Sequence, residues 1–319
     1  MAKISPSVLL AMLMLTIPLS GCLEGSISEN DVLDEANVVF VDPCTSPSEI
    51  LTQVFIDITV NGDERQFRLS APSSDAGTLL PVIIAFHGGG GSAEDFQQQN
   101  QFDQLGQDEK FIMAYAIAKE DRTAAEGEWY LNTAATSRED NIYVEHIIEN
   151  LSKSHCIDED RLYGIGYSLG SMFTYEIACQ MNHQFAAVAS FAGTMPVTPE
   201  TCDLDGSMAV MHIHGKLDYI IDYDDDWDWK EGEHEGVGTM SNIPGMIDYW
   251  AEISNCENGN THAHLFEGDE VEHIVHSDCD GDVRIEHYGM EAQEHTWPNQ
   301  VDGTNTYELM WNFLSEFTN

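Results

Sequence analysis

The amino-acid sequence predicts an α/β domain, a mostly parallel central sheet with helices on both faces, and three observations carry that expectation. First, apolar and β-branched runs recur without polar alternation: PVIIAF (81–86), FIMAYAI (111–117), RLYGIGY (161–167), FAAVASFAG (185–193) and MAVMHIHG (208–215). Such runs suit strands buried on both faces. Second, helical stretches lie between or after them: EDNIYVEHIIENLSK (139–153), LGSMFTYEIACQM (169–181) and IPGMIDYWAEIS (243–254). Strand and helix in alternation imply parallel strands joined by helical crossovers. Third, GYSLG (166–170) falls at the junction of one such strand and one such helix.

Taken in chain order, the first element is an export signal. Lys3 precedes the run VLLAMLMLTIPL (8–19), which is too short to span a bilayer comfortably and fits a secretory signal. Leu19-Ser20-Gly21-Cys22 has the form of a lipobox. Residues 1–21 are therefore expected to be a lipoprotein signal peptide, with Cys22 bearing the lipid. Residues 22–44 are acidic and aperiodic, as expected of a tether, and 45–319 are expected to form one catalytic domain. No later stretch is long and apolar enough to cross a membrane.

Within that domain, TQVFIDITVNGDERQFRLS (52–70) reads as a hairpin turning at Asn61-Gly62. The buried strands and helices follow, then the strand-like DVRIEHYG (282–289) and a closing helix, TYELMWNFLSEF (306–317).

Charge narrows the partners. The chain has 12 Lys and Arg against 56 Asp and Glu, a formal net charge of −44. Such a surface repels nucleic acid and anionic headgroups, so no nucleic-acid partner is expected and the membrane is reached through the N-terminal lipid. No protein partner is inferred. With 42% hydrophobic residues the acidity belongs to a folded surface, and adaptation to a saline environment is the expected reason for it. Cys22 apart, six cysteines remain: Cys44, Cys156, Cys179, Cys202, Cys256 and Cys279. In an exported chain they suggest disulfides, whose pairing sequence alone leaves open. None forms a CxxC pair, so a zinc ribbon is not expected.

GYSLG alone is weak evidence, because short glycine-serine patterns arise by chance. Its setting is what makes Ser168 a candidate nucleophile: a strand-turn-helix in which Gly166 and Gly170 permit a tight elbow. Leu169, Met172, Phe173, Ile177 and Met181 are expected to form one apolar stripe on the following helix. That helix's N-terminus would add partial positive charge near a developing oxyanion.

A serine nucleophile needs a base, an acid to orient the base, and donors for the oxyanion, in the chain order Ser, acid, His. FHGGGGSAEDF (86–96) follows an early strand, so Gly89, with Gly88 as its alternative, is assigned one oxyanion donor and the backbone N–H of Leu169 the other. His87 is expected to brace that loop. Asp218, in HIHGKLDYIID, is the candidate acid, with Asp222 its nearest rival. His295, in EAQEHTWPNQ, is preferred among the 13 histidines because it lies between the strand at 282–289 and the last helix. His212 and His214 are expected to be core residues.

Metal is not expected. HAH (262–264) and HIVH (273–276) sit in a hairpin-like region without a third convergent ligand. The acidic stretch DYDDDWDWKEGEHE (222–235) matches no EF-hand loop and reads as solvated surface, with a cation site left open. No cofactor is required.

The blocks PVIIAFHGGGGSAEDF, CIDEDRLYGIGYSLGSMFTYEIACQMNHQFAAVASFAGT, HIHGKLDYIIDYDD and HTWP together resemble the polyhydroxybutyrate-depolymerase and feruloyl-esterase-like family of secreted α/β-hydrolases. The resemblance covers most of residues 55–318 and implies an α/β-hydrolase fold, with Ser168 as nucleophile, Asp218 as acid and His295 as base. It also implies an oxyanion hole in the loop after His87 and a Cys256–Cys279 disulfide. The chain departs from the family where many members have SNGG, since Leu169 and Ser171 stand there. A backbone oxyanion donor survives that change. The chain ends soon after its last helix, without the extra binding domain common in polymer-degrading members, which lowers the expectation of attack on solid polyester.

The expected function is a lipid-anchored serine esterase, exported to the cell surface, acting on a small or oligomeric ester. A peptidase of the same fold and a catalytically silent binding protein are the alternatives. The acyl and alcohol parts of the substrate are not legible. Tyr219, Tyr223, Trp227 and Trp229 either line a cleft or pack beneath the acidic loop.

Overall fold

The structure, a computed structural model, describes residues 42–119, 127–132, 138–200, 202, 204, 206–229 and 237–319. These belong to one structural unit, Val41–Asn319. The expected signal peptide, Cys22 and the tether up to residue 41 lie outside the described residues.

The sheet begins with the hairpin legible in the sequence. Leu51–Val60 (β1) and Asp63–Ala71 (β2) pair antiparallel, and Val60 opposes Asp63. Asn61 and Gly62 both take positive φ, 53° and 93°, as a two-residue turn between right-twisted strands demands. The buried strands follow: Leu80–Phe86 (β3), Ile112–Ala116 (β4), Ile157–Tyr167 (β5), Ala187–Phe191 (β6) and Ala209–Gly215 (β7). A short antiparallel pair, Trp227–Asp228 (β8) with Thr239–Met240 (β9), precedes a second hairpin of Asn258–Phe266 (β10) and Asp269–Ser277 (β11). Ile285–Met290 (β12) returns to the sheet, and Gln300–Val301 (β13) pairs with Thr304–Asn305 (β14) before the last helix. The ten-stranded sheet runs β1-β2-β4-β3-β5-β6-β7-β12-β11-β10. Its centre, from β4 to β12, is parallel, and the antiparallel hairpins form its two edges.

Among the described residues six helices cover the sheet: Ala93–Gln98 (α1), Phe102–Glu109 (α2), Glu139–Ser154 (α3), Leu169–Gln180 (α4), Ile243–Ile253 (α5) and Thr306–Leu314 (α6). Because successive strand residues point to opposite faces, each buried strand feeds two cores. Val82, Ile84, Val188 and Val210 meet Tyr143, Phe173 and Trp250 from α3, α4 and α5 on one face. Ile83, Ala85, Ala189 and Met211 meet Phe96, Phe102 and Trp311 from α1, α2 and α6 on the other. The helices therefore lie on both faces, as expected of an α/β sheet. The sequence reading did not place α1 and α2, which are short and polar.

One expectation needs correction. Helix α4 does not bury a single stripe, since every residue from Leu169 to Cys179 is buried. A helix wedged among β3, β5, β6 and neighbouring helices has no solvent face, so its apolar residues are distributed all round.

Among the described residues three disulfides join Cys44 to Cys156, Cys179 to Cys202, and Cys256 to Cys279. The last is the pair that the family resemblance implied. The first ties the short helical turn Pro43–Thr45, from the end of the expected tether, to the residue that precedes β5.

Candidate active site

Ser168 sits between β5 and α4 with φ 54° and ψ −121°, a conformation sparsely populated by any residue with a side chain. The turn is held because its neighbours leave no alternative. Ser168 N–H bonds to the Phe191 carbonyl at 3.0 Å, and Ser168 O accepts from Met172 N–H at 3.1 Å to start the helix. A side chain at Gly170 would meet the Phe86 carbonyl oxygen at 2.1 Å, and one at Gly166 the Gly170 carbonyl oxygen at 2.2 Å. Glycine at both positions lets α4 approach the strands closely, which thrusts the serine hydroxyl above the sheet.

Two loops bring the other groups to it. His295 Nε2 lies 2.8 Å from Ser168 Oγ, and His295 Nδ1 lies 2.6 Å from Asp218 Oδ2. Because a carboxylate only accepts, Nδ1 carries hydrogen, the tautomer that leaves the Nε2 lone pair of a neutral ring for the serine hydroxyl. Asp218 is fixed from below, its Oδ1 accepting the N–H groups of Ile220 and Ile221, each at 2.9 Å. Burial opposes its ionisation, but hydrogen bonds from His214, His295 and the Ile221 N–H outweigh burial and hold the carboxyl well below the usual carboxylate range. The His295 backbone carbonyl accepts the Tyr167 hydroxyl at 2.8 Å, which ties its loop to β5.

The glycine-rich loop lies on the other side of the serine. A side chain at Gly88 would touch Ser168 Cβ at 3.2 Å, and one at Gly89 would touch the Leu169 side chain at 3.4 Å. His87 braces this loop from within. Its Nδ1 donates to the Gly88 carbonyl at 2.9 Å, its Nε2 accepts the Ala118 N–H at 3.3 Å, and its own carbonyl accepts Trp129 Nε1 at 2.9 Å. Burial lowers its pKa, in keeping with a neutral ring. Leu169 N–H belongs to the first turn of α4, whose amides have no carbonyl a turn earlier to bond.

Ser168, His295, Leu169, Gly88 and Gly89 share a cleft of about 350 Å³, which Phe96, Met172, Ile220 and Trp229 line with apolar surface and Asp95 and Glu128 with carboxylates. Of the four aromatic residues left open by the sequence, Trp229 lines this cleft, Tyr219 is exposed, and Tyr223 is buried with its hydroxyl on His287. Trp227 packs edge-on against Trp229, ring centroids 4.9 Å apart.

The structure thus brings together Ser168, His295, Asp218, Leu169, Gly88 and Gly89. The rival acid, Asp222, is exposed and caps its own turn, accepting the N–H groups of Asp224 and Asp225. His262 and His264 are exposed on β10, and His273 bonds to Glu286 at 2.8 Å. Among the described residues no group of three or more His, Cys, Asp or Glu is placed to hold a metal. Sequence reasoning missed what His212 and His214 do. They are core residues, yet they form part of a buried polar chain that ends on Asp218. Two histidines at alternate positions in an apolar run that leads into the Asp218 loop were the available signal.

A mostly parallel sheet covered on both faces, with a serine on a strained turn between a central strand and a buried helix, defines an α/β-hydrolase. The chain has that fold. Residues 73–231 match the family described as phospholipase/carboxylesterase. Over 257 residues, 81% of the chain, it is 24% identical to a bifunctional acetylxylan esterase/xylanase of Neocallimastix patriciarum, of which it covers 34%. Over 262 residues, 80% of the chain, it is 20% identical to feruloyl esterase B of Piromyces equi, of which it covers 45%. The chain thus spans less than half the length of either relative. Among solved structures, the acetyl xylan esterase from Aspergillus awamori superposes with a TM-score of 0.59 at 14% identity, over 82% of this chain and 99% of that one. The esterase resemblance carried by the sequence blocks is found again in these relatives.

Proposed function

We propose that the protein is a serine hydrolase of carboxylic esters that works through an acyl-enzyme. The observation that carries this reading is the hydrogen-bonded chain from Ser168 Oγ through His295 to Asp218, set on the strained turn and opening into the cleft. As Ser168 Oγ attacks the ester carbonyl carbon, His295 Nε2 takes the hydroxyl proton and the carbonyl π electrons move to oxygen. Gly89, or Gly88, and Leu169 donate backbone N–H bonds to that oxyanion. Each such donor is worth about 3 kcal/mol in known oxyanion holes. The tetrahedral adduct collapses as the imidazolium returns its proton to the leaving alcohol. Water then repeats the cycle, giving a proton to His295 and its oxygen to the acyl carbon, and Ser168 leaves reprotonated. Asp218 holds the imidazole tautomer and stabilises the imidazolium throughout.

The relatives' names support esters over amides. The substrate proposed is a small or oligomeric ester, reached by an exported enzyme anchored through a lipid on Cys22. A fluorophosphonate that labels the wild type at Ser168 and fails to label Ser168→Ala tests the nucleophile, and matched ester and anilide substrates test the bond cleaved. No label on Ser168 would leave a silent binding protein. Faster anilide than ester cleavage would favour a peptidase.

A further inference from the structure

The face of β6, β7 and β12 that meets α4 and α5 carries a polar row inside an apolar core. Parallel register pairs Ser190 with His212 and His212 with His287, so the three side chains lie side by side across three strands. His214 stands one step further along the same face of β7, toward Asp218. All four are fully buried, with 0% exposure, where a polar group without a hydrogen bond is costly.

The partners fix where the protons are. His287 Nδ1 lies 3.0 Å from the His212 carbonyl, which only accepts, so Nδ1 is protonated and Nε2 accepts the Tyr223 hydroxyl at 2.9 Å. His214 Nε2 faces two acceptors, the Ile221 carbonyl at 3.1 Å and Asp218 Oδ2 at 3.4 Å, so it carries hydrogen. A neutral His214 then accepts at Nδ1 from His212 Nε2, 3.0 Å away. His212 Nδ1 in turn accepts a hydroxyl hydrogen from Tyr175 at 2.8 Å or Ser190 at 3.1 Å. The hydrogen bonds run one way, from hydroxyl through two imidazoles to the carboxylate. Burial keeps the His212 and His287 rings neutral.

The two oxygens of Asp218 are held differently. Two backbone N–H groups grip Oδ1, whereas Oδ2 meets His295 and His214. We propose that His214 is a positioning residue for Asp218: a neutral donor, its polarity set by His212 and Tyr175 behind it, that holds the oxygen facing His295 in place. The proposal rests on the reading of Ser168, His295 and Asp218 as the reacting set. The titratable groups around His214 are His212 and Asp218 from β7 and the turn after it, Tyr223 from the next loop, Tyr175 from α4 and His287 from β12, with Lys216 over the Tyr223 ring.

Two variants separate positioning from packing. His214→Met fills similar space without a donor, and His214→Gln keeps one N–H and one acceptor. Rates are expressed per site titrated by a fluorophosphonate, so that loss of folded protein does not count as loss of rate. His214→Met is expected to lower kcat by about 10- to 100-fold, the scale for a misplaced catalytic group, with little change in KM for a small ester. It should also move the acidic limb of kcat/KM to higher pH, because a carboxylate with one donor fewer binds the His295 imidazolium more strongly. His214→Gln should restore most of both. Wild-type kcat per titrated site and an unmoved limb in His214→Met would overturn the proposal. If that variant does not fold, 15N spectra of histidine-labelled wild type decide. The neutral Nε2–H tautomer of His214 supports the proposal; an imidazolium or the Nδ1–H tautomer overturns it. Absence of fluorophosphonate on Ser168 in the wild type would instead sink the underlying triad reading.

Discussion

Ser168 and His295 are 127 residues apart in the chain, yet His295 Nε2 lies 2.8 Å from Ser168 Oγ. The approach is built from both sides, by the strained turn after β5 and by a loop tied down through Tyr167 and Asp218. Removing the groups proposed to react should therefore leave a folded protein that barely turns over. Ser168→Ala and His295→Ala are expected to lower kcat by about four to six orders of magnitude, and Asp218→Asn by less. Near-normal ester hydrolysis by Ser168→Ala, measured on protein free of wild type, would end the assignment.

The turn itself supplies a second test. At Gly170 even a methyl group would meet the Phe86 carbonyl oxygen at 2.1 Å, so the helix must move away from β3. Gly170→Ala should cost about 3 kcal/mol in denaturant titrations, the upper part of the usual overpacking range, and lower fluorophosphonate labelling in the protein that does fold. A stable, fully labelled Gly170→Ala would show that the close contact is not required.

Asp218 links the site to acid stability. Its folded-state pKa is depressed, so it contributes stability that is present above the ordinary carboxylate pKa of about 4 and is lost as pH falls toward the folded-state value. Wild type should exceed Asp218→Asn in unfolding free energy at neutral pH, and the gap should narrow below about pH 4. Parallel urea titrations of the two proteins check this; a gap constant with pH would mean that Asp218 gains nothing from its donors.

Much of this is legible in the amino-acid sequence. Five of the six parallel strands announce themselves because strands covered on both faces are mostly apolar, and Asn61-Gly62 marks a turn whose two positive φ values few other residue pairs accept. Ser168, Asp218 and His295 can be picked out as candidates because the chemistry proposed for them needs those groups at strand ends in a set order, and the structure brings the three within hydrogen-bonding reach. The polarity of the His212–His214 chain is not legible, because it depends on Tyr175 and Ser190 meeting His212 at one end and Ile221 and Asp218 meeting His214 at the other, contacts that no local pattern encodes. Nor is the full burial of α4, because the stripe of Leu169, Met172, Phe173, Ile177 and Met181 says nothing of what packs against the other faces of the helix.

The lipid anchor is a separate proposal with its own test. If Cys22 is the first residue of the mature chain and carries a diacylglyceryl group, two acyl chains hold the enzyme firmly where one would be marginal. Cys22→Ser should then shift activity from the membrane fraction to the soluble one, with kcat unchanged. Activity that stays in the membrane fraction would rule out a lipid on Cys22.

The charge of the chain leads to a prediction about salt. With 12 Lys and Arg against 56 Asp and Glu, most carboxylates have no basic side chain available to pair with, whatever the packing. The run Asp222, Asp224, Asp225, Asp226 and Asp228 shows the result locally, five exposed carboxylates on one loop beside the cleft. At 0.01 M salt the Debye length is about 30 Å, so these charges repel others across much of the domain and oppose the compact state. At 1 M it falls to about 3 Å, and repulsion is confined to immediate neighbours. Melting temperature and ester hydrolysis should therefore rise together as salt approaches molar levels, with sodium and potassium chloride nearly equivalent because screening does not distinguish them. The same screening should relieve the loop next to Trp229, so KM for an anionic ester should fall with salt more than KM for a neutral one. Equal stability in dilute buffer and in molar salt would show that the surface charge is not what limits folding. Rescue by micromolar calcium at low ionic strength would point instead to a bound cation on the acidic loop.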